Sequence, residues 1–427
     1  MIFKKILCSL LCIFAIRLMA FAQKALTLQE VLLQVRTNSP TLRVERLNIE
    51  AAQADQITAN LRPNPLLNNQ TLFQLSSAQV PTLIAEQSPG ILSRQRRQFW
   101  LQATKEFDIF NKRQARNRFA EASTTLASRS VAETERGLLF DAANRYLDAR
   151  YARIQLELLQ RAKNNADTLV QLNQVRLQDL VISKTDLLRT QLVAEQYGIQ
   201  INTARQELRN RLNELRLVVG SVDSVSVMLN DSIVNTSFLN LITTVPVDSV
   251  LRMAVTTRTD IRFAEANLET ARRNVDLQQV VARPRNEAGF IWNPQNTVPY
   301  AGVYLTLELP VYNRNQGGIQ KSKVLQEQAS QAVSLLQTRV RLEIQSAYQS
   351  FLISRQNVNR FKSIQADANR VLASVRYAYL RGATTLIDLL QAQTAWFDTQ
   401  TAYYQAVYTY HQHFIRLLYA TGQISIY

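Results

Sequence analysis

VYLTLEL, residues Val303 to Leu309, alternates without a break: Val303, Leu305, Leu307 and Leu309 fall on one side of an extended chain, and Tyr304, Thr306 and Glu308 on the other. Successive side chains of a strand point to opposite faces, so this ribbon has one apolar and one polar face. Such alternation over about nine residues marks a strand of a transmembrane barrel, apolar toward lipid and polar toward an aqueous interior. Leu101 to Phe107 repeats it, with Leu101, Ala103 and Phe107 against Trp100, Gln102, Thr104 and Glu106, although Lys105 interrupts the apolar side. Weaker alternation marks two partners, Leu66 to Leu75 and Glu287 to Asn293; Trp100, Trp292 and Tyr300 stand near strand ends, where a bilayer interface would hold them. Two hairpins connect the strands, a long one from Ser76 to Gln98 and a short one from Pro294 to Pro299. Four strands cannot close a barrel, so the chain must share one with further copies of itself.

Around these strands the chain repeats itself. VRTNSPTLRVERLNIEAAQ from Val35 resembles VTTRTDIRFAEANLETAR from Val255, an offset of 220. Both have apolar residues at helical spacing and run to an Arg-Pro, Arg62-Pro63 and Arg283-Pro284, where proline ends a helix. LQATKEFDIFNKRQ from Leu101 matches VYLTLELPVYNRNQ from Val303 at an offset of 202, and the halves close at Gly220 and Gly422, again 202 apart. Each half reads helix, strand, strand, long helix, turn, helix. Ile319 to Arg381 contains no Gly or Pro, and between Asn111 and Tyr197 there is only Gly137. Such runs predict helices of ~90 Å at 1.5 Å per residue, packed as coiled coils. Ala120, Ala122, Ala127, Ala329 and Ala332 would let neighbouring helices approach closely. Helices alone would equally suit a non-channel periplasmic coiled-coil scaffold; the strands favour the barrel.

The predicted class is therefore mainly α with a small β part, a duplicated helix-strand-strand-helix-helix unit. Its divisions are a signal peptide at 1–22, a first repeat at 23–220 with strands near 66–75 and 99–107, an equatorial segment at 221–247, a second repeat at 248–422 with strands near 287–293 and 300–309, and a tail at 423–427.

The N-terminus decides how the charge is read. The 427 residues carry 49 Lys+Arg against 33 Asp+Glu, a formal +16 that by itself suggests nucleic acid or an anionic surface. Lys4 and Lys5, however, precede an apolar run from Ile6 to Ile16, and Ala20-Phe21-Ala22 supplies the small-residue cleavage pattern before Gln23. Export removes nucleic acid as a partner. Loss of Lys4, Lys5 and Arg17 leaves +13, and loss of Cys8 and Cys12 leaves a mature chain without cysteine. Leu10 and Leu11 before Cys12 do not fit lipoprotein cleavage, so no lipid anchor is expected. No apolar stretch of 18 or more residues follows Ala22, which leaves a β-barrel as the way to cross a membrane.

From about Leu26 to Gly422 the chain resembles the TolC family of outer-membrane efflux factors. LELPVYNRNQGG, Leu307 to Gly318, is similar to the family's strand-to-helix junction, particularly in its heavy-metal branch of CzcC and CusC-like proteins; the junction residues are Pro310, Asn313, Arg314, Asn315, Gly317 and Gly318. YLRGATTLIDLLQAQ, Tyr379 to Gln393, is similar to the second periplasmic helix turn, and ISKTDLLRTQ from Ile182 to the first. The resemblance implies a homotrimer with a shared 12-stranded outer-membrane barrel, four strands per protomer, a long periplasmic α-helical barrel and an equatorial belt. It implies an exit duct rather than an enzyme, without cofactor, docked to a periplasmic adaptor (a membrane fusion protein) and an inner-membrane pump of the resistance-nodulation-division type and seated among outer-membrane lipids. Heavy-metal cations are the cargo that the junction favours; drug efflux and type I protein secretion are the alternatives.

Carried over by position, Tyr379 and Asp388 fall at the periplasmic entrance and Gly382 at its turn. A ring of Asp388 would favour cations in a narrow aperture. Gln391 replaces a second entrance acid of the family, Thr384 replaces an arginine latch, and Arg381 could act in its stead. Asp186, having no nearby turn glycine, could equally cap its helix or gate, while for Asp388 gating is the leading reading and helix capping the alternative. His411 and His413, two apart on a helix, do not face one another and are not a chelate; they belong with the aromatic cluster Tyr403, Tyr404, Tyr408, Tyr410 and Phe414. Gly317-Gly318 reads as a bend after Pro310. Arg94, Arg96 and Arg97 would lie in an external loop facing lipopolysaccharide.

Overall fold

The computed structural model describes residues 25–73, 97–221, 225–231, 233–234, 247–295 and 298–424. The signal segment with Cys8 and Cys12, most of the long hairpin connection with Arg94 and Arg96, and much of the equatorial segment lie outside the described residues. In chain order the elements are β1 (Ala25–Leu26), α1 (Leu28–Asn38), α2 (Pro40–Asn60), β2 (Leu66–Phe73), β3 (Arg97–Glu106), α3 (Lys112–Gln178), α4 (Lys184–Val219), β4 (Ser226–Val227), α5 (Val247–Thr257), α6 (Thr259–Val281), β5 (Asn286–Gln295), β6 (Val298–Leu307), α7 (Gln316–Leu380) and α8 (Leu386–Ala420). The class is mainly helical with a small sheet, as the sequence predicts.

Three sequence readings need correction. The helix expected before each strand pair is two helices. Ser39 adopts φ −55°, ψ 122° because Pro40 disfavours a helical residue before it, and α1 ends there. Pro294 and Pro299 are not loop residues but face each other across the β5–β6 ladder, so the hairpin is shorter than expected. The repeat offset also shifts at the long helices. Asn111 and Asn315 take φ 58° and 55°, each immediately before its helix, so the structural equivalence there is 204 rather than 202.

The chain forms two compact units. The first to be considered comprises Arg46–Ser130 and Arg262–Leu335 and contains an antiparallel sheet of order β2-β3-β5-β6. The register aligns Leu101 with Trp292, Ala103 with Phe290 and Lys105 with Ala288, and across the next ladder Trp292 with Ala301, Phe290 with Val303 and Ala288 with Leu305. These residues share one face. Gln102, Thr104, Glu106, Glu287, Tyr300, Tyr304 and Thr306 occupy the other. Phe290, Val303, Leu305 and Leu307 are exposed, and β2 and β6 are edges without a further partner among the described residues. The four strand ends that connect to helices lie at one rim of the sheet. Among the helices of this unit Ala120 and Ala329 are buried, and Thr124 and Thr270 donate hydroxyls to the carbonyls of Ala52 and Ala122 on adjacent helices.

The second unit comprises the described residues of Met1–Glu45, Val131–Ile261 and Leu336–Tyr427. Its core gathers Leu28, Val31 and Val35 of α1, Leu139 and Tyr146 of α3, Leu215 of α4, Phe351 of α7 and Phe414 of α8. Thr27 and Glu30 form a capping box that starts α1. Gly220 ends α4 at φ 71°, where an added Cβ would meet Pro40 at 2.7 Å and the Asn38 carbonyl at 2.9 Å, so only glycine fits. β1 and β4 pair in parallel. The segment around β4 is pinned to α3: Arg150 donates to the Leu229 carbonyl at 2.6 Å, Arg153 to that of Val227 at 2.6 Å, and Tyr146 to the Asp231 carboxylate at 2.9 Å.

Charge is also buried in this core. Arg136 and Arg258 are 1% and 3% exposed at their side chains. Arg258 bonds Asp260 at 2.6 Å, Glu343 at 3.0 Å and the Ala420 carbonyl at 2.6 Å; Arg136 reaches Glu133 at 2.7 Å and Asp260 at 3.3 Å. Burial pushes the Asp260 carboxyl up, but the hydrogen bond from Arg258 and the charges of Arg136 and Arg258 outweigh it and hold the group below its ordinary range.

Candidate functional site

Two helix turns carry the predicted entrance residues, and both are built alike. At the end of α3 the N–H of Val181 donates to the Arg176 carbonyl and that of Leu180 to Leu177; at the end of α7, Ala383 donates to Ala378 and Gly382 to Tyr379. These are Schellman turns with a left-handed residue, Leu180 at φ 57° in one and Gly382 at φ 72° in the other. The missing glycine near Asp186 is thus no sign of a different turn, since Leu180 occupies the same conformation.

Each turn is followed by a capping box. Ser183 and Asp186 start α4, and Thr385 and Asp388 start α8. One oxygen of Asp388 accepts the Thr385 hydroxyl at 2.6 Å, the Thr384 hydroxyl at 2.8 Å and the Thr385 N–H at 3.1 Å. The hydroxyl of Thr385, then that of Thr384, hold this fully exposed carboxyl below its ordinary range, so it remains an anion. Asp186 is bonded likewise by Ser183, with Arg189 at 3.8 Å. Capping coexists with an exposed negative charge in Asp388, whereas Asp186 caps its helix half-buried.

The other carried-over positions separate. Tyr379 is 4% exposed, packed with Leu169, Leu386 and Leu389; its hydroxyl donates to Asn173 Oδ1 at 2.8 Å and Arg176 lies 4.7 Å over its ring. Within one chain it is a packing residue that ties α7 to α3 rather than part of an open surface. Thr384, in the latch position, spends its hydroxyl on Asp388. Arg381 stacks on Tyr377 at 4.6 Å and makes no ion pair among the described residues. Gln391 lines a groove of about 450 Å³ with Arg189, Ile387, Leu390, Thr394 and Asp398.

At the strand-to-helix junction, Asn315 bonds the Gln278 carbonyl and Asn313 accepts the Asn315 N–H, while Arg314 donates to the Pro310 carbonyl. Gly317 and Gly318 form no bend; they lie in the first turn of α7, and a Cβ at Gly318 would meet Asn315 Oδ1 at 2.3 Å. The matching start of α3 is capped differently, by Asp108 accepting the N–H groups of Lys112 and Arg113.

His411 is partly buried with Arg150 3.4 Å from its Nδ1, and His413 faces the Ser350 carbonyl. No metal-binding group of three ligands occurs among the described residues. Sequence reasoning missed the buried Arg136–Asp260–Arg258–Glu343 network, in which Arg136 and Glu343 reach the closely spaced pair Arg258 and Asp260 from distant parts of the chain without a local motif.

Comparison with known proteins follows from this geometry. A family model described as "Outer membrane efflux protein" matches residues 31–221 and 250–423. Outer membrane protein TolC of Salmonella enteritidis is 23% identical over 244 residues, covering 52% of this chain and 48% of that protein; TolC of Escherichia coli is also 23% identical, over 233 residues. The chain thus spans about half the length of the curated relatives it matches. Among solved structures, CusC superposes with a TM-score of 0.75 at 18% identity, covering 94% of this chain and 93% of that one. The open state of the Neisseria gonorrhoeae MtrE outer membrane channel gives 0.72 at 17%, covering 93% and 89%. At these identities the superpositions establish the shared fold.

Proposed function

The chain belongs to the outer membrane efflux protein family, and from that premise we propose that it is the outer-membrane exit duct of a tripartite efflux system. Three copies share one 12-stranded barrel, and the helical part extends into the periplasm to meet an adaptor and a resistance-nodulation-division pump. The observation that carries the reading is the sheet: one face apolar and exposed, the other lined by Gln102, Thr104, Glu106, Tyr304 and Thr306, and two edges without a further partner among the described residues. In hydrocarbon those edges must pair with further copies, because nothing else there satisfies backbone N–H and C=O groups. The duct performs no chemistry of its own; it offers a wetted path.

Heavy-metal cations are the proposed cargo. The support is the junction Leu307 to Gly318 together with the exposed anion Asp388 at the second helix turn, which raises local cation concentration. A deletion strain should lose growth on zinc, cobalt, cadmium or copper while tolerating dyes; the reverse pattern assigns drug cargo instead. In planar bilayers Asp388→Asn should reduce cation preference, and unchanged selectivity removes Asp388 from the gate. A stable monomer that needs no detergent would overturn the duct itself.

A further inference from the structure

One charge stands on the apolar face of the sheet. Lys105 shares that face with Leu101 and Ala103, sits opposite Ala288, and lies near the rim from which the helices depart. It opens onto a cavity of about 640 Å³ that also receives Arg62, Arg113, Asn60 and Asn117. The two carboxylates lining this cavity are already engaged. Glu106 is bridged by Arg285 at 3.2 Å, and Asp108 accepts the N–H groups of Lys112 and Arg113 at 2.6 and 2.7 Å. Among the described residues the Arg113 side chain donates only to Asn60, at 3.3 Å, and neither Arg62 nor Lys105 has an ion-pair partner. Three cations therefore face one cavity without a carboxylate committed to them. The loop beside it exposes Phe107, Ile109 and Phe110.

We propose that this cavity is a headgroup site for an anionic phospholipid of the leaflet on the helix side, a proposal that rests on the membrane-spanning reading of the sheet. The phosphate sits among Arg62, Arg113 and Lys105, the two guanidinium groups matching its oxygens and the Lys105 ammonium adding a third positive charge. The acyl chains lie along Ala103, Leu101 and Phe290, and Phe107 and Phe110 occupy the boundary between chains and headgroups. Lys105 is then no flaw in the apolar face but a side chain whose stem follows lipid while its ammonium reaches the headgroup level. A free phosphate would satisfy the cations but leave the apolar strip and the aromatic loop unused.

The test titrates the full chain, purified in nonionic detergent, with phosphatidylglycerol or phosphatidylcholine and reads bound lipid by native mass spectrometry. Phosphatidylglycerol should be retained and phosphatidylcholine should not. The double variant Arg62→Gln with Lys105→Gln, both on exposed side chains, should weaken retention by about tenfold or more, and Lys105→Arg should keep it. Equal retention of both lipids, or of phosphatidylglycerol by the parent and the double variant, overturns the site. Displacement by millimolar inorganic phosphate reassigns it to a free anion and likewise overturns the lipid assignment. A chain that never enters micelles or vesicles refutes the membrane reading instead, so the two failures are distinguishable.

Discussion

Replacing Arg258 by methionine keeps most of the side-chain volume but removes the charge at the centre of the buried ionic network. The side chain is 3% exposed and holds Asp260, Glu343 and the Ala420 carbonyl, so the substitution strands two carboxylates and one carbonyl. Breaking a buried pair by deleting one partner costs about 3 to 5 kcal/mol. Two facts place this case near the lower end, about 3 kcal/mol: Arg136 remains 3.3 Å from Asp260, and Glu343 is partly open to solvent. Adding Asp260→Asn removes one stranded charge and should recover about 1 to 2 kcal/mol, giving a coupling that a double-mutant cycle reads directly. The pH dependence supplies a second readout. In the parent the folded Asp260 carboxyl lies below its unfolded value, so its contribution is complete above about pH 4 and is lost as pH falls through the folded value. Without Arg258, burial pulls that carboxyl upward and the acid-labile range moves to higher pH. Guanidinium unfolding in detergent, followed by far-ultraviolet circular dichroism at one fixed chain concentration, measures both. A loss below about 1 kcal/mol with no coupling to Asp260 would refute the reasoning and reduce the network to the standing of surface ion pairs.

Gly289→Val should abolish assembly of heat-resistant oligomers on unboiled gels, because a Cβ there would stand 2.0 Å from the Ala103 carbonyl across the β3–β5 ladder; normal oligomers would contradict the register. Thr385→Ala removes the cap of α8, should cost about 1 kcal/mol, and should let the Asp388 carboxyl rise toward its ordinary value in an NMR titration. Burial, then the charge of Arg150, push His411 down to about 3, so the folded chain resists its protonation and stability falls as pH drops below the unfolded value. From that shift about 2 kcal/mol is lost by about pH 5, and His411→Gln should flatten the slope between about pH 6.5 and 3 in unfolding midpoints measured across that range.

What could be read from the chain beforehand depended on how local the cause was. The strands were visible because alternation is a property of neighbours, and the register then shows Lys105 near a rim rather than in the middle of the apolar face. The long helices were visible because Gly and Pro are missing over long runs. Their ends depended on particular residues: Ser39 before Pro40 split one expected helix into two, and Leu180 in a left-handed conformation supplied a turn that glycine supplies in the other half. Tyr379 is assigned to the entrance by resemblance alone, and its burial against Asn173 depends on a residue 206 positions away. The Arg258 network was illegible for the same reason, since Glu343 lies 85 positions from it. β1 and β4, two residues each, are too short for any periodicity to show.

The two open edges of the sheet carry a genetic consequence. In the shared barrel proposed above, each edge strand finds its partner on another chain, so a damaged β2 or β6 leaves the adjoining edge of an intact chain unpaired as well. In a cell that makes normal and edge-damaged chains together, mixed assemblies are lost along with the wholly damaged ones. Alleles that disrupt these two strands should therefore be dominant, whereas alleles that merely stop synthesis should be recessive.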